Sequence, residues 1–247
     1  MTAYSPVGGA RPAEADRLSP PPTPSGGSLL AQILPPQAHG VEAYHDAPAG
    51  SLYPEEAALL ARSGAGDKRR REFTTVRACA RAALHELGVP PAPVLPGPGR
   101  APNWPAGVTG SMTHCDGYRA AAVAATADLR SLGIDAEPAG PLPAGVLGLI
   151  GSRAERAQVA HLARERPEVP WDRLLFCAKE AAYKAWYPVT GQWVALADIA
   201  VEVGPEDGRL RARPPGGGAL RELPGRWAVA GQRDRAGLLL VAVTVRV

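Results

Sequence analysis

The stretch LGIDAEP, residues 132–138, sets two carboxylates, Asp135 and Glu137, two positions apart. FCAKEAAYKAWYP, residues 176–188, sets a third, Glu180, between Lys179 and Lys184. On a strand, a spacing of two turns both acids to one face, roughly 6–7 Å apart at Cα, with Ile134 and Ala136 on the other. Oxygens so placed suit a hard cation: magnesium takes oxygen ligands and keeps waters and substrate phosphate in its shell. On a helix, Glu180 and Lys184 lie one turn apart, a pair that by itself stabilises by only about 0.2–0.5 kcal/mol. Each motif taken alone has a bland account, two solvated acids at a strand end and a surface ion pair. Thr113 and His114, in GSMTHCDGY, add a hydroxyl and an imidazole that can meet an anion. Together these groups describe an acid-metal centre ringed by cations, which suits a polyphosphate substrate.

The elements that must hold these groups can be read from periodicity. Asp67 is placed to cap a helix in which Phe73, Val76, Ala80, Leu84 and Leu87 recur at helical spacing, ended by Gly88 with Pro90 and Pro91 beyond. Arg70, Arg77 and Arg81 form a basic stripe on it, read first as a solvated face. PGPGRAPNWPAGVTG, residues 96–110, is too rich in Pro and Gly for a regular element, and its glycines match no phosphate-loop pattern. Two strand-like runs, Tyr118 to Ala125 and Ser131 to Glu137, are separated by TADLR and read as a hairpin, with Thr113 and His114 at its entry. Ser152 three residues before Glu155 is a capping box opening a helix. The helix carrying Glu180 is expected to stop near Tyr187, because Pro188 cannot continue it. DIAVEV, RLRARP, GRWAVAG and GLLLVAVTVRV alternate as antiparallel strands. Strands and helices mix without a βαβ rhythm, so the fold class is α+β.

Composition narrows the setting. The chain has 247 residues, enough for one large domain or two small ones, and its formal charge of +3 is too mild for a nucleic-acid footprint. Its three cysteines have no zinc-ligand spacing and fit a reduced, cytoplasmic protein. The N-terminus has no signal-peptide pattern, and no apolar run approaches the roughly 20 residues of a membrane helix. SPPPTPSGGS lies within residues 1–27, which read as a disordered lead-in. No internal repeat is visible.

In their order and spacing, KRRREF, RAPNWP, GSMTHC, GIDAEP and FCAKEAAYKAW together resemble the 4′-phosphopantetheinyl transferase family, over about residues 50–245. The likeness is to its larger, monomeric branch, which activates carrier proteins of peptide, polyketide and siderophore synthesis. The resemblance implies a pseudo-twofold arrangement of two similar α+β halves with largely antiparallel sheets, residues 28–130 and 131–247, making one pseudo-dimeric unit. It implies transfer of 4′-phosphopantetheine from coenzyme A to a serine of an apo acyl or peptidyl carrier protein, with Mg2+ as cofactor. By motif position, Asp135, Glu137 and Glu180 hold the metal, and Asp135, Glu180 and Lys184 carry the catalysis, with Glu180 as base. Lys184 then meets the pyrophosphate, Thr113, His114, Arg62 and Arg70 the 3′-phosphate, and Arg100 the nucleotide, with Lys179 also among the coenzyme A-binding residues. Carrier docking falls near residues 152–193, with Arg153, Arg156, Arg164 and Arg166 as rim charge. Where many members carry a second aliphatic residue, this chain has Ala136, which the strand reading turns away from the metal. The competing readings are a non-catalytic coenzyme A scaffold and a Mg2+-dependent phosphatase or nuclease.

Overall fold

A computed structural model describes residues 28–48, 50–216, 220–232 and 235–247. The lead-in expected at residues 1–27 lies outside the described residues. The first half contains β1 (Ala38–Ala43), α1 (Pro54–Arg62), α2 (Asp67–Glu86), the short β2 (Leu95–Pro96) and β3 (Pro102–Asn103), β4 (Val108–Cys115) and β5 (Tyr118–Ala125). Next come β6 (Leu129–Pro138), α3 (Val146–Ile150), α4 (Arg153–Glu165), α5 (Trp171–Thr190), β7 (Ala200–Val203), β8 (Arg209–Arg213), β9 (Leu223–Gln232) and β10 (Arg235–Arg246). The class is α+β, as expected, and both main sheets are antiparallel: β1-β5-β4 and β6-β10-β9-β8-β7.

Alternation along the strands sorts the core into layers. One face of the first sheet, with Val41, Ala43, Ala121 and Val123, packs on Cys79, Ala80, Ala83 and Leu84 of α2. Its other face, with Tyr118, Ala120 and Ala122, shares a core with Leu132, Ile134 and Ala136 of β6 and Leu240 and Ala242 of β10. The far face of β10, with Leu239, Val241, Val243 and Val245, packs on α5. Each half therefore lays one 20-residue helix against an antiparallel sheet.

Several local expectations need correcting. Asp67 is the first helical residue of α2 rather than its cap; Gly66 holds that place. The basic stripe is solvated only at Arg70: Arg81 is buried and donates to Glu56 Oε2 at 2.9 Å, and Arg77 is buried 3.9 Å from the same carboxylate. Glu56 is fully buried and also accepts from the backbone N–H of Tyr53 and Val94, so both of its oxygens are engaged. Residues 118–125 and 131–137 are strands but not a hairpin. β5 pairs with β4 through the tight turn at Asp116-Gly117, where Gly117 has φ 73°, while β6 crosses to the other sheet and pairs with β10. Thr113 and His114 consequently lie within β4 and not in a loop before it. Helix α5 runs through Pro188 to Thr190. In the last turn the missing proline N–H removes only one intrahelical bond, and Gly191 at φ 64° closes the helix by donating to Tyr187 O. The capping box of α4 forms as expected: Ser152 N–H donates to Glu155 Oε2 at 2.7 Å and Glu155 N–H to Ser152 Oγ at 3.2 Å.

One contact fixes how the second sheet meets its helix. At Gly133 on β6 a Cβ would overlap the Ala181 carbonyl oxygen and the Ala185 nitrogen, so strand backbone rests directly on helix backbone. Gly133→Ala should lower stability by about 1–3 kcal/mol through overpacking, read from the midpoint of urea unfolding. An unchanged midpoint would mean that β6 and α5 are not so closely apposed.

Candidate functional site

Because residues alternate along β6, Asp135 and Glu137 share the face that carries Gly133, and that face meets α5. Lys184 Nζ reaches Asp135 Oδ1 at 2.6 Å and Ile134 O at 3.3 Å. Thr113 Oγ1 donates to the same Asp135 oxygen at 3.1 Å and accepts from Ala136 N–H at 3.1 Å, tying β4 to β6. Asp135 Oδ2 is buried without a hydrogen-bond partner. Glu137 is held by Arg173 at 2.9 Å, whose guanidinium also grips the carbonyls of Gly140 and Pro141. Among the described residues no hydrogen bond or ion pair engages Glu180, so the bland account of a Glu180–Lys184 surface pair is not what forms; Lys184 turns to Asp135 instead.

The electrostatics follow from crowding acids in a half-buried place. Burial raises the pKa of Glu137, Asp135 adds to the rise, and Arg173 opposes it. Burial also raises the pKa of Glu180; Lys184 pulls it back, and Asp135 and Glu137 push it up again. Burial alone would lower the pKa of Lys184, but the Asp135 carboxylate more than offsets that, and the net shift is upward. Among the described residues no three Asp, Glu, His or Cys side chains are drawn together as a metal cluster. The two neighbouring cations account for this, since Lys184 caps Asp135 and Arg173 holds Glu137. The donor set nevertheless fits a hard cation: it is all carboxylate oxygen, and Asp135 Oδ2 carries an unfilled acceptor.

Beside the acids lies a cavity of about 300 Å³, walled by α2, β4, α5 and the 99–102 loop, with Arg69, Arg77, Arg100, His114, Glu180 and Lys184 in its lining. Arg77 is 8% exposed, its guanidinium stacks 3.2 Å from the Phe73 ring centroid, and its Nε has no partner. Burial lowers its pKa to about 10, with Glu56 opposing. A guanidinium so placed has hydrogen-bonding capacity that the protein leaves unfilled, which suits an anionic ligand. Arg100 adopts φ 65°, a left-handed conformation rare for a side-chain-bearing residue, and adjoining Gly99 packs against Tyr187, whose hydroxyl a Cβ would overlap. Backbone strain of this kind concentrates at ligand sites.

The cavity gathers some of the expected binding residues and not others. His114, Arg100 and Lys184 line it. Thr113 does not; its hydroxyl is engaged by Asp135 and Ala136. Lys179 must be corrected: it is fully buried on the far side of α5, bonded to Glu155 at 3.0 Å and to Ile150 O at 2.8 Å, and cannot meet a phosphate. Arg62 ends α1, and Arg70 donates to Ala65 O; neither lines the cavity. Arg69 and Arg77 do, and the signal for them was available, since 69, 73 and 77 fall four apart on one face of α2.

Comparison with known proteins gives the same reading along the chain. A family model described as the 4′-phosphopantetheinyl transferase N-terminal domain matches residues 55–124, and one described as the 4′-phosphopantetheinyl transferase superfamily matches residues 131–223. 4′-Phosphopantetheinyl transferase Svp of Streptomyces mobaraensis is 51% identical over 226 residues, covering 88% of this chain and 89% of its own length. 4′-Phosphopantetheinyl transferase PptT of Mycobacterium tuberculosis is 44% identical over 238 residues, covering 89% and 99%. 4′-Phosphopantetheinyl transferase Npt of Nocardia iowensis is 40% identical over 229 residues, covering 87% and 99%.

The raised pKa of Glu180 has a measurable sign. A carboxyl whose folded pKa exceeds its unfolded value contributes stability fully below the unfolded pKa, and loses it as pH rises through the folded one. Glu180→Gln, which stays neutral, should therefore melt above the parent protein near pH 7.5, and the difference should vanish near about pH 4. A variant that melts below the parent at neutral pH would show that Glu180 is not held against a desolvation penalty.

Proposed function

The chain belongs to the 4′-phosphopantetheinyl transferase superfamily, and we propose that it moves 4′-phosphopantetheine from coenzyme A to a serine hydroxyl of an apo acyl or peptidyl carrier protein, Mg2+-dependently, leaving 3′,5′-ADP. The observation that carries the reading is a cavity lined by Arg69, Arg77 and Arg100 on one side and by Glu180 and Lys184 of α5 on the other, with Lys184 bonded to Asp135 of β6. Arg69, Arg77 and His114 bind the phosphates of coenzyme A on the α2 side, and Lys184 meets the pyrophosphate from α5. Arg100 and the strained loop close over the nucleotide.

Asp135, Glu137 and Glu180 would hold Mg2+, which when bound neutralises negative charge on the pyrophosphate. The serine oxygen forms a bond to the β-phosphorus, the bond from that phosphorus to the 3′,5′-ADP oxygen breaks, and the serine proton passes to Glu180. A carboxylate with a raised pKa is a better proton acceptor. Lys184, kept charged beside Asp135, stays available to the charge that develops on the leaving group.

The partners follow from the reaction: coenzyme A and an apo carrier protein, with the enzyme acting as a monomer in the cytoplasm. No helix among the described residues is long and apolar enough to cross a membrane.

The test is a mass-shift assay with purified protein, coenzyme A, Mg2+ and a panel of apo acyl and peptidyl carrier proteins. The expected result is a gain of one phosphopantetheine on at least one carrier; no gain on any would overturn the reading. Glu180→Gln should slow transfer by about 10²–10⁴-fold, the range for loss of a general base, with coenzyme A binding retained. Near-parental rates would remove Glu180 from the mechanism.

A further inference from the structure

Glu72 is an acid in the lining of a cavity to which the function proposed above assigns an anion. It is 8% exposed, lies on α2, and lines the same cavity as Arg69, Arg77 and His114. Its Oε2 lies 3.3 Å from His114 Nε2 and 3.9 Å from Arg69 NH1. Arg69 NH1 in turn stands 2.8 Å from that same His114 nitrogen.

One ring nitrogen therefore has two suitors that need it in opposite states. A guanidinium N–H can only donate, so the Arg69 contact requires His114 Nε2 to be an unprotonated acceptor. A carboxylate can only accept, so the Glu72 contact requires Nε2 to carry hydrogen. Both cannot be satisfied at once. The charged groups facing the ring are Arg69 and Glu72 from α2, Lys184 from α5 and Arg119 from β5. Burial lowers the pKa of His114, Arg69, Lys184 and Arg119 lower it further, and Glu72 alone raises it.

We propose that Glu72 is a positioning residue that couples coenzyme A binding to uptake of a proton by His114. This rests on the function proposed above. Without ligand, neutral His114 accepts from Arg69. When a phosphate draws the Arg69 guanidinium to itself, Nε2 takes a proton from solvent and its N–H donates a hydrogen bond to Glu72. His114 is then a cation inside the anion site, and its ring is fixed by a charge-assisted hydrogen bond. Glu72 thus exchanges a modest repulsion for a second positive charge that is present only when an anion is bound.

The test is calorimetry of coenzyme A binding near pH 7.5 in buffers of different ionisation enthalpy, with steady-state kinetics alongside. The parent should take up a substantial fraction of about one proton per coenzyme A, and its affinity should strengthen by up to ~10-fold per pH unit on acidification in excess of the phosphate's own titration. Glu72→Gln should lose most of that uptake and raise KM for coenzyme A roughly 10-fold with kcat little changed. Glu72→Asp should recover part of both. An unaltered or lower KM in Glu72→Gln, or parental proton uptake in it, overturns the proposal while leaving the transferase reading intact. Absence of proton uptake in the parent itself overturns it without recourse to a variant. If the parent does not bind coenzyme A at all, the proposed function fails first and this inference falls with it.

Discussion

The close approach of β6 to α5 at Gly133 is the constraint on which the site depends. With no Cβ between them, strand backbone lies against the Ala181–Ala185 turn of the helix. That brings Lys184 within 2.6 Å of Asp135, two residues along the strand, and turns Glu180 toward the same acids. A larger residue at 133 would lift the strand away, and the carboxylates would no longer share a space with the helix face. Interiors packed to crystal-like density transmit such shifts rather than absorb them.

Each of the two long helices is held by a buried ion pair whose members do not line the cavity. Behind α5 it is Lys179 with Glu155, whose carboxylate also takes the N–H groups of Ser152 and Val201, joining α4 and β7 to the helix. On α2 it is Arg81 with Glu56, which also receives Val94 N–H. Buried charges of this kind add little net stability over an apolar replacement, but removing one partner is severe, so they act as specific anchors. The helices are thus anchored by charges outside the cavity, and groups that line it can stay incompletely paired: Arg77 on α2, Glu180 on α5.

What could be read from sequence was what local rules govern. The common face of Asp135 and Glu137 follows from strand pleat alone, the α4 capping box from a four-residue pattern, and the terminal strands from alternation. Chain distance hid the rest. That β5 pairs with β4 while β6 pairs with β10 depends on a choice among antiparallel partners that the individual strands do not encode. The fate of Lys179 could not be read from KEAAYK, because the acid that neutralises it is 24 residues away in another helix. Arg77 and Arg81 looked solvated for the same reason: Glu56 lies in a different helix. Charged residues are the hardest to place from local pattern, since burial of a charge is decided by its partner and not by its own hydropathy.

The Thr113 hydroxyl has a consequence of a mechanical kind. It is the point at which one half of the molecule touches a carboxylate of the other, donating to Asp135 and accepting from Ala136 in a single gesture. β4 and β6 are edge strands of separate sheets and share no backbone ladder, so nothing periodic holds their alignment. A slip of one residue along that seam would offer Asp135 the thioether of Met112 or the imidazole of His114 in place of the hydroxyl. The seam therefore works as a vernier, in which the relative sliding of two large bodies is reported at one oxygen atom beside the chemistry.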